Sequence, residues 1–415
     1  MRLLIALRDY QNIKRKIKEK MKILQICQRF YYGGGQERHV LHISKNLVKL
    51  GHSVTIITSE IAVSQEFKKS ISLGGVKIKK LPAVALDEPA NQVLFPTLLS
   101  FLLDPKNEFD VIHAHGALCH SSQTACIAAK CRKKPFIFTP HYHPWNVFDK
   151  ERVRLIRKYT ERMITIPTII NSSATIAVSD YEKELLPQKY PNINPDKLKI
   201  IPNGVDIDFI SNTSSRKDVR KKFKIQGERK YVLFFGSTTD LRKGIDRVIE
   251  SFAIIAKKVK DSHLIILGAN TDTSVAVKNM IIKNNLAGRV TACGYVSDKE
   301  KVAFLRMADV LISPTIYEAF GIVLAEAMYA KVPVVATKCG GVPYVLEHGV
   351  HGYLVGSYNS SHAFAKYTVR LLQDDILRKK LGEAGHLRVL KKFQWMEITK
   401  KIEKLYVSLK TNEKK

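Results

Sequence analysis

Glu318 and Glu326 lie eight residues apart in a largely apolar stretch, Pro314 to Met328, with Phe320-Gly321 between them. Read as a helix start, the stretch puts one carboxylate just ahead of the helix and the other about two turns in. Burying an acid on an apolar helix is costly unless something pairs with it. A carboxylate can accept from two adjacent hydroxyls. The same helix end offers unpaired backbone N–H groups and a positive dipole, which suit a phosphate. Hydroxyls for the acids and phosphate for the amides together describe a sugar nucleotide. The alternative is a capping carboxylate at Glu318 and an exposed helix position at Glu326.

Three further groups could do chemistry. Arg242 and Lys243 precede a helix start at Gly244. Two cations there would neutralise a diphosphate and stabilise charge on a leaving group; a solvated pair on a basic surface is the other reading. Gly33, Gly34 and Gly35 stand between an apolar run and a helical pattern, where glycines let a backbone approach a ligand and free a helix N-terminus. Their order is not G-x-G-x-x-G, so a dinucleotide fingerprint is unsupported. His115 and His141 each follow an apolar run, placed to hydrogen-bond a sugar hydroxyl or orient an acceptor. A lone histidine at a strand end is otherwise structural, and His113 and His143 fit a supporting role.

These residues need elements to hold them. From Met21 short apolar runs alternate with helical patterns, the mark of a parallel α/β sheet. The runs are Lys22–Cys27, Ser53–Thr58, Val76–Leu81, Val111–His115, Pro135–Thr139, Thr175–Ser179 and Lys199–Pro202. The polar stretch 211–230 reads as a linker with a short helix. A second series follows at Tyr231–Gly236, Leu264–Gly268, Val290–Gly294, Val310–Ser313 and Val334–Thr337, with a helix over Gly244–Lys258 and a strand-free helical end, about Ser361–Leu409. The predicted division is a basic extension (1–20), a first domain (21–205), a second domain (206–385) and C-terminal helices (386–415) crossing back to the first. Tandem domains of this kind place a cleft between their strand ends, where ligands of open sheets bind.

The chain has 415 residues, 45% of them hydrophobic, and a formal charge of +30 with pI ≈ 9.8. Such a field attracts nucleic acid, anionic membrane or anionic substrates. No zinc-finger, RRM or KH pattern is present, so specific nucleic-acid binding is not expected. Anionic lipid is the better general partner, with a solubilising surface as the equal alternative. The basic helix 149–163 sets Arg152, Arg154, Arg157, Lys158 and Arg162 against Val153, Ile156, Tyr159 and Met163. Core packing would explain that stripe; lipid phosphates would suit the charges. No apolar run reaches the roughly 18–20 residues that span a bilayer, so a cytoplasmic chain, peripherally attached to the inner membrane face, is expected. The first twenty residues are either an interfacial basic helix or an extension upstream of a start at Met21. Six cysteines show no CxxC spacing, and Cys119, Cys126 and Cys131 match no zinc pattern with the nearby histidines. Free buried thiols in a reducing compartment are expected.

From Met21 onward the chain resembles the family 4 glycosyltransferases of the GT-B fold. The motifs that carry this, in order, are Gly33-Gly34-Gly35-Gln36-Glu37-Arg38, Asp110 to His115, Phe138-Thr139-Pro140-His141, Ile201 to Asp206, Phe235 to Gly244, Glu318 to Glu326, and Gly340-Gly341-Val342-Pro343. The resemblance implies two Rossmann-like, doubly wound parallel-sheet domains facing a central cleft. It implies catalytic roles for His115, Glu318 and Lys243. Donor contacts would come from Gly35, Arg242, Lys243, Phe320, Gly321, Ile322, Val323, Glu326, Tyr295 and Val296, and acceptor-side contacts from His141 and Gly34. Glu318 would face the transferred sugar and Glu326 the ribose. No metal or other cofactor is implied, and Asp206-Ile207-Asp208 is an accidental match to the metal motif of another fold. Ser237 stands where the family usually has Arg, Asn270 where glycine often occurs, and Tyr344 where Glu often follows.

The activity expected is retaining transfer of a hexose from a UDP- or GDP-linked sugar to an acceptor hydroxyl on a lipid-linked or polysaccharide substrate. Closure about residues 203–230 would expel water. The alternatives are a GT-B nucleotide-sugar epimerase or a sugar phosphorylase, or a non-catalytic binder of anionic membrane or nucleic acid.

Overall fold

A computed structural model describes residues 20–30, 34–61, 72–85, 93–142, 144, 151–212, 216–225, 227–237 and 240–412. Gly33, His143, residues 1–19 and the start of the basic helix at Asp149 lie outside them. The chain divides into two compact units: one runs to Asn203 and resumes at Trp395, and the other is Gly204–Gln394. The sequence division fell at 205/206 and 385/386 instead. The helix Asp375–Lys392 belongs to the second unit and the helix Trp395–Asn412 to the first.

The first unit is built on strands β1 (Lys22–Cys27), β2 (Ser53–Ser59), β3 (Ser72–Leu73), β4 (Val76–Leu81), β7 (Val111–His115), β8 (Phe136–Thr139), β9 (Ala174–Ala177) and β10 (Leu198–Ile200), with a separate β5–β6 pair at Val84–Ala85 and Val93–Leu94. The sheet order is β10-β9-β8-β7-β1-β2-β4-β3. Every neighbouring pair is parallel except β3–β4. After Lys22, β1 is buried on both faces, as a parallel strand covered by helices must be. On one face the helices Gly35–Lys49 and Trp395–Asn412 pack Val40, Ile43 and Leu47 with Trp395, Ile398 and Ile402 over Ile23 and Val111. The other face is covered by Leu98, Leu102, Ala125 and Leu186.

The second unit carries β11 (Lys230–Phe235), β12 (Ser262–Leu267), β13 (Val290–Ala292), β14 (Val310–Ser313), β15 (Val334–Thr337) and β16 (Gly352–Val355), in the order β13-β12-β11-β14-β15-β16 and parallel throughout. Sequence patterning missed β16. Its apolar run, Tyr353-Leu354-Val355, is only three residues long and is bracketed by Gly352 and Gly356, so it reads as part of a turn. The stretch 211–230 holds one short helix, Arg216–Lys222, as its pattern suggests, and a second, Ile207–Asn212, runs into it. Val219 is buried and Phe223 meets the Phe304 ring at 5.3 Å, so this segment packs into the second unit despite its charge.

Candidate active site

In the second unit the strand order reverses between β11 and β14, the place where open α/β sheets bind ligands at their C-terminal strand ends. Lys243 comes from the loop after β11 and Glu318 from the loop after β14, and their side chains form an ion pair. The backbone joins the same loops. Ile316 N–H donates to the Arg242 carbonyl at 2.8 Å, and the Thr315 hydroxyl donates to that oxygen at 3.1 Å. Gly341 N–H donates to the Glu318 carbonyl at 2.7 Å. Gly244 (φ +72°) and Gly340 (φ +48°) sit where a Cβ would strike the carbonyl oxygens of Pro314 and Glu318. Only glycine allows both the left-handed turn and this close approach.

The two cations have different partners. The Arg242 guanidinium turns back on Asp240, with Nε to Oδ1 at 2.8 Å and Nη2 to Oδ2 at 2.9 Å. Burial pushes the Asp240 carboxyl up, but Arg242 and Lys243 bring it below its ordinary value. Arg242 is thus an element of the loop, and Lys243 the cation on Glu318. Ser237, at the position usual for Arg, donates its hydroxyl to the Ala269 carbonyl at 3.1 Å. Asn270 adopts φ +62°, a conformation Asn tolerates in place of glycine.

Gly321 (φ +92°) precedes the helix Ile322–Tyr329, whose N-cap makes no side-chain hydrogen bond. The first-turn amides, including those of Ile322 and Val323, therefore lack a side-chain cap. Phe320 is buried, edge-on to Phe393 at 5.3 Å. Glu326 is buried rather than exposed, and Lys301 of the helix Asp298–Met307 holds its two oxygens at 2.6 and 2.7 Å. Lys301 was not anticipated; its neighbours Val302, Ala303, Phe304 and Leu305 are all buried, and a lysine in such company was the available signal. Of the two residues expected on the donor after β13, Tyr295 is exposed and Val296 buried.

In the first unit the order reverses between β1 and β7, with Cys27 and His115 paired in register at their ends. His115 is fully buried. Its Nε2 lies 2.7 Å from Gln25 Oε1 and its Nδ1 lies 3.4 Å from His141 Nε2. One chain of hydrogen bonds assigns the protons. The Gln25 amide donates to the Tyr406 hydroxyl at 3.1 Å, Tyr406 donates to His113 Nδ1 at 2.6 Å, and His113 Nε2–H donates to Thr139 Oγ1 at 2.7 Å. The Gln25 oxygen is then the acceptor, so His115 carries its proton on Nε2 and presents a bare Nδ1 toward His141. His141 takes φ +45°, a left-handed backbone in which histidine is enriched.

His39, missed by the sequence reading, completes the cluster. It lies on the buried face of the helix Gly35–Lys49, and its Nδ1 lies 2.6 Å from Asn203 Oδ1. Asn203, at the start of the segment about which closure is expected, thereby fixes a histidine. Burial pushes His39 down to about 4 and holds His113 and His115 well below the ordinary imidazole value, so these three are neutral at pH 7. Gly34 is the N-cap of the helix that opens at Gly35, and the Glu37 carboxylate lies where a Gly34 Cβ would be. Burial pushes Glu37 up to about 7. That helix start already carries its own acid.

The helix Glu151–Thr160 buries no residue fully; of its expected apolar stripe Val153 and Ile156 are half-buried, while Tyr159 and Met163 are exposed, so core packing does not account for the whole stripe. Leu155, Tyr159 and Met163 are all exposed, and their spacing by fours lines one face. No helix among the described residues is long and apolar enough to cross a membrane.

The sequence matches the Glycosyltransferase Family 4 family over residues 33–209 and the Glycosyl transferases group 1 family over residues 215–388. It is 24% identical over 398 residues to a phosphatidylinositol N-acetylglucosaminyltransferase subunit of Saccharomyces cerevisiae, across 93% of this chain and 83% of that protein. It is 26% identical over 402 residues to a phosphatidyl-myo-inositol mannosyltransferase of Mycobacterium leprae, across 95% and 99% of the two chains. Among solved structures, HepE of Anabaena in complex with UDP-glucose has a TM-score of 0.73 at 21% identity, across 94% of this chain and 100% of that one. The two family matches between them take in both units, and the chain belongs to the family 4, group 1 glycosyltransferases: it is an enzyme of the GT-B fold.

Proposed function

We propose that this enzyme moves a hexose from a UDP- or GDP-linked sugar to a hydroxyl of a lipid-linked acceptor, with retention at the anomeric carbon. The observation that carries the reading is the Lys243–Glu318 pair at the sheet's topological switch point, beside the uncapped helix Ile322–Tyr329. A diphosphate there would meet the Lys243 ammonium and the first-turn amides. Glu318 would accept from sugar hydroxyls. Glu326, held by Lys301, would accept from a ribose hydroxyl.

In the proposed reaction the acceptor oxygen bonds to the anomeric carbon from the face that the phosphate leaves. The carbon–phosphate-oxygen bond breaks, and the acceptor proton passes to the departing phosphate. Glu318 positions the sugar and is not a nucleophile. His115 would hydrogen-bond a substrate hydroxyl through Nδ1, and His141 would orient the acceptor. The reaction so written needs no metal, since lysine and amide dipoles balance the developing charge.

Two observations favour a lipid-linked acceptor at the inner face of a membrane. The exposed Leu155, Tyr159 and Met163 accompany Arg152, Lys158 and Arg162, a composition suited to an anionic interface. Both relatives named above act, by their names, on inositol phospholipids. The test is a thermal-shift screen over UDP- and GDP-sugars, since a ligand of the folded state raises Tm, followed by product analysis on lipid extracts and saccharides. Hexose appearing on an acceptor supports the reading. Consumption of the nucleotide sugar without any acceptor would replace it with epimerisation.

A further inference from the structure

We infer that His39, His115 and His141 form a binding site for a borderline divalent transition metal of the Zn2+ class. One ring nitrogen from each lies within 4.8 Å of the other two. The ring centroids stand 4.7 Å (His39–His141), 5.4 Å (His39–His115) and 5.6 Å (His115–His141) apart. Zn–N bonds of about 2.0–2.1 Å in tetrahedral array put nitrogens roughly 3.4 Å apart. The His115 Nδ1 to His141 Nε2 separation is already 3.4 Å, so only His39 has to draw in.

Proton placement points the same way. The Asn203 oxygen takes the Nδ1 proton of His39, and the other nitrogen, Nε2, is buried with no hydrogen-bond partner among the described residues. A bare lone pair in such a place is costly unless something binds it. His115 likewise gives its Nε2 proton to the Gln25 oxygen and leaves Nδ1 bare. Metal-binding histidines characteristically donate the distal N–H to a fixed oxygen, which sets tautomer and ring orientation. Asn203 and Gln25 do this for two of the three. The His141 Nε2 already faces His115 Nδ1 at 3.4 Å and supplies the third lone pair in the Nδ1-protonated tautomer. Three imidazoles with a fourth, open position favour Zn2+ over hard cations such as Mg2+ or Ca2+.

A metal held here takes the His115 Nδ1 lone pair that the proposed function assigns to substrate. Inhibition by the metal therefore rests on that reading, whereas the site does not. The experiment uses the untagged full chain, stripped with chelator and titrated calorimetrically with Zn2+, with Co2+ as a visible-absorption probe of tetrahedral geometry. One equivalent should bind. His39→Ala and His141→Asn should each weaken binding at least tenfold, Asn being compatible with the left-handed backbone at 141. Asn203→Ala, which removes no ligand, should weaken it about 10–100-fold. His42→Ala, beside the cluster but stacked on Trp395, should change nothing. Melting curves identify any variant that fails to fold. Unchanged Zn2+ affinity in folded His141→Asn and Asn203→Ala overturns the site. One equivalent bound with transfer undiminished would leave the site standing and remove His115 from the mechanism.

Discussion

Lys301 holds both carboxylate oxygens of Glu326, at 2.6 and 2.7 Å, and both residues are buried. Removing one partner of a buried ion pair leaves an uncompensated charge, whose cost is about 3–5 kcal/mol. Lys301→Met should lower the stability of the second unit by that order. Lys301→Met with Glu326→Gln should cost less than the single change. Denaturant titration of the unaltered protein, each single variant and the double variant measures this, and additive losses would show that the two side chains do not act as a pair.

Lys243 and Arg242 are adjacent but should respond differently to truncation. Lys243→Ala removes the cation on Glu318 and should lower turnover about 10²–10³-fold, the range for deleting one transition-state donor. Arg242→Ala frees Asp240 and loosens the loop, so its larger effect should be on melting temperature. Steady-state kinetics on both variants separates the cases. Comparable loss of turnover from Arg242→Ala would place its guanidinium on the substrate.

Acid should weaken the second unit through His263. Burial, with Arg229 and Arg289 nearby, pushes this imidazole from 6.5 down to about 4. Between those values the unfolded chain takes up a proton that the folded chain refuses. The stability from the neutral ring is complete above pH 6.5 and falls as pH drops toward 4, by about 1.4 kcal/mol per pH unit. Urea midpoints at pH 7, 6 and 5 should decline, and His263→Gln should flatten the decline. A slope unaltered by the substitution would assign the acid sensitivity elsewhere.

Leu155→Ser with Tyr159→Ser should reduce co-sedimentation with phosphatidylglycerol vesicles several-fold while leaving the melting temperature within a degree or so, because nothing on that helix is buried. Raising salt should reduce binding of the unaltered protein as well. Equal binding by the variant would locate lipid contact on another basic surface.

Parallel-sheet architecture was legible in the sequence because each buried strand is a short apolar run. β16 was not, because glycines at 352 and 356 bracket its three apolar residues and make them read as a turn. In the site, motif position named Glu318 and Lys243, which the fold brings together as an ion pair, but it did not announce the fork of Arg242 on Asp240. Spacing along the chain reports which residues share a loop, not which neighbour captures a guanidinium. His39, Lys301 and Tyr406 escaped for a related reason. Each is a polar residue on the buried side of a helix, and its partner lies far away in sequence: Asn203 is 164 positions from His39, Glu326 is 25 from Lys301, and Gln25 is 381 from Tyr406.

Tyr406 also sets an order of events during synthesis. The second unit is one continuous segment, Gly204–Gln394, and can close as soon as that segment has been made. The first unit contains the earliest strands, yet Gln25 can donate to the Tyr406 hydroxyl, and His113 accept from it, only after the ribosome has passed residue 406. A nascent chain would therefore carry a finished sheet in its later half while the earlier half still exposes the Ile23 and Val111 face. Domains that fold as units while emerging predict that this earlier half is the part in need of a chaperone, and that pulse-chase proteolysis would find it protected last.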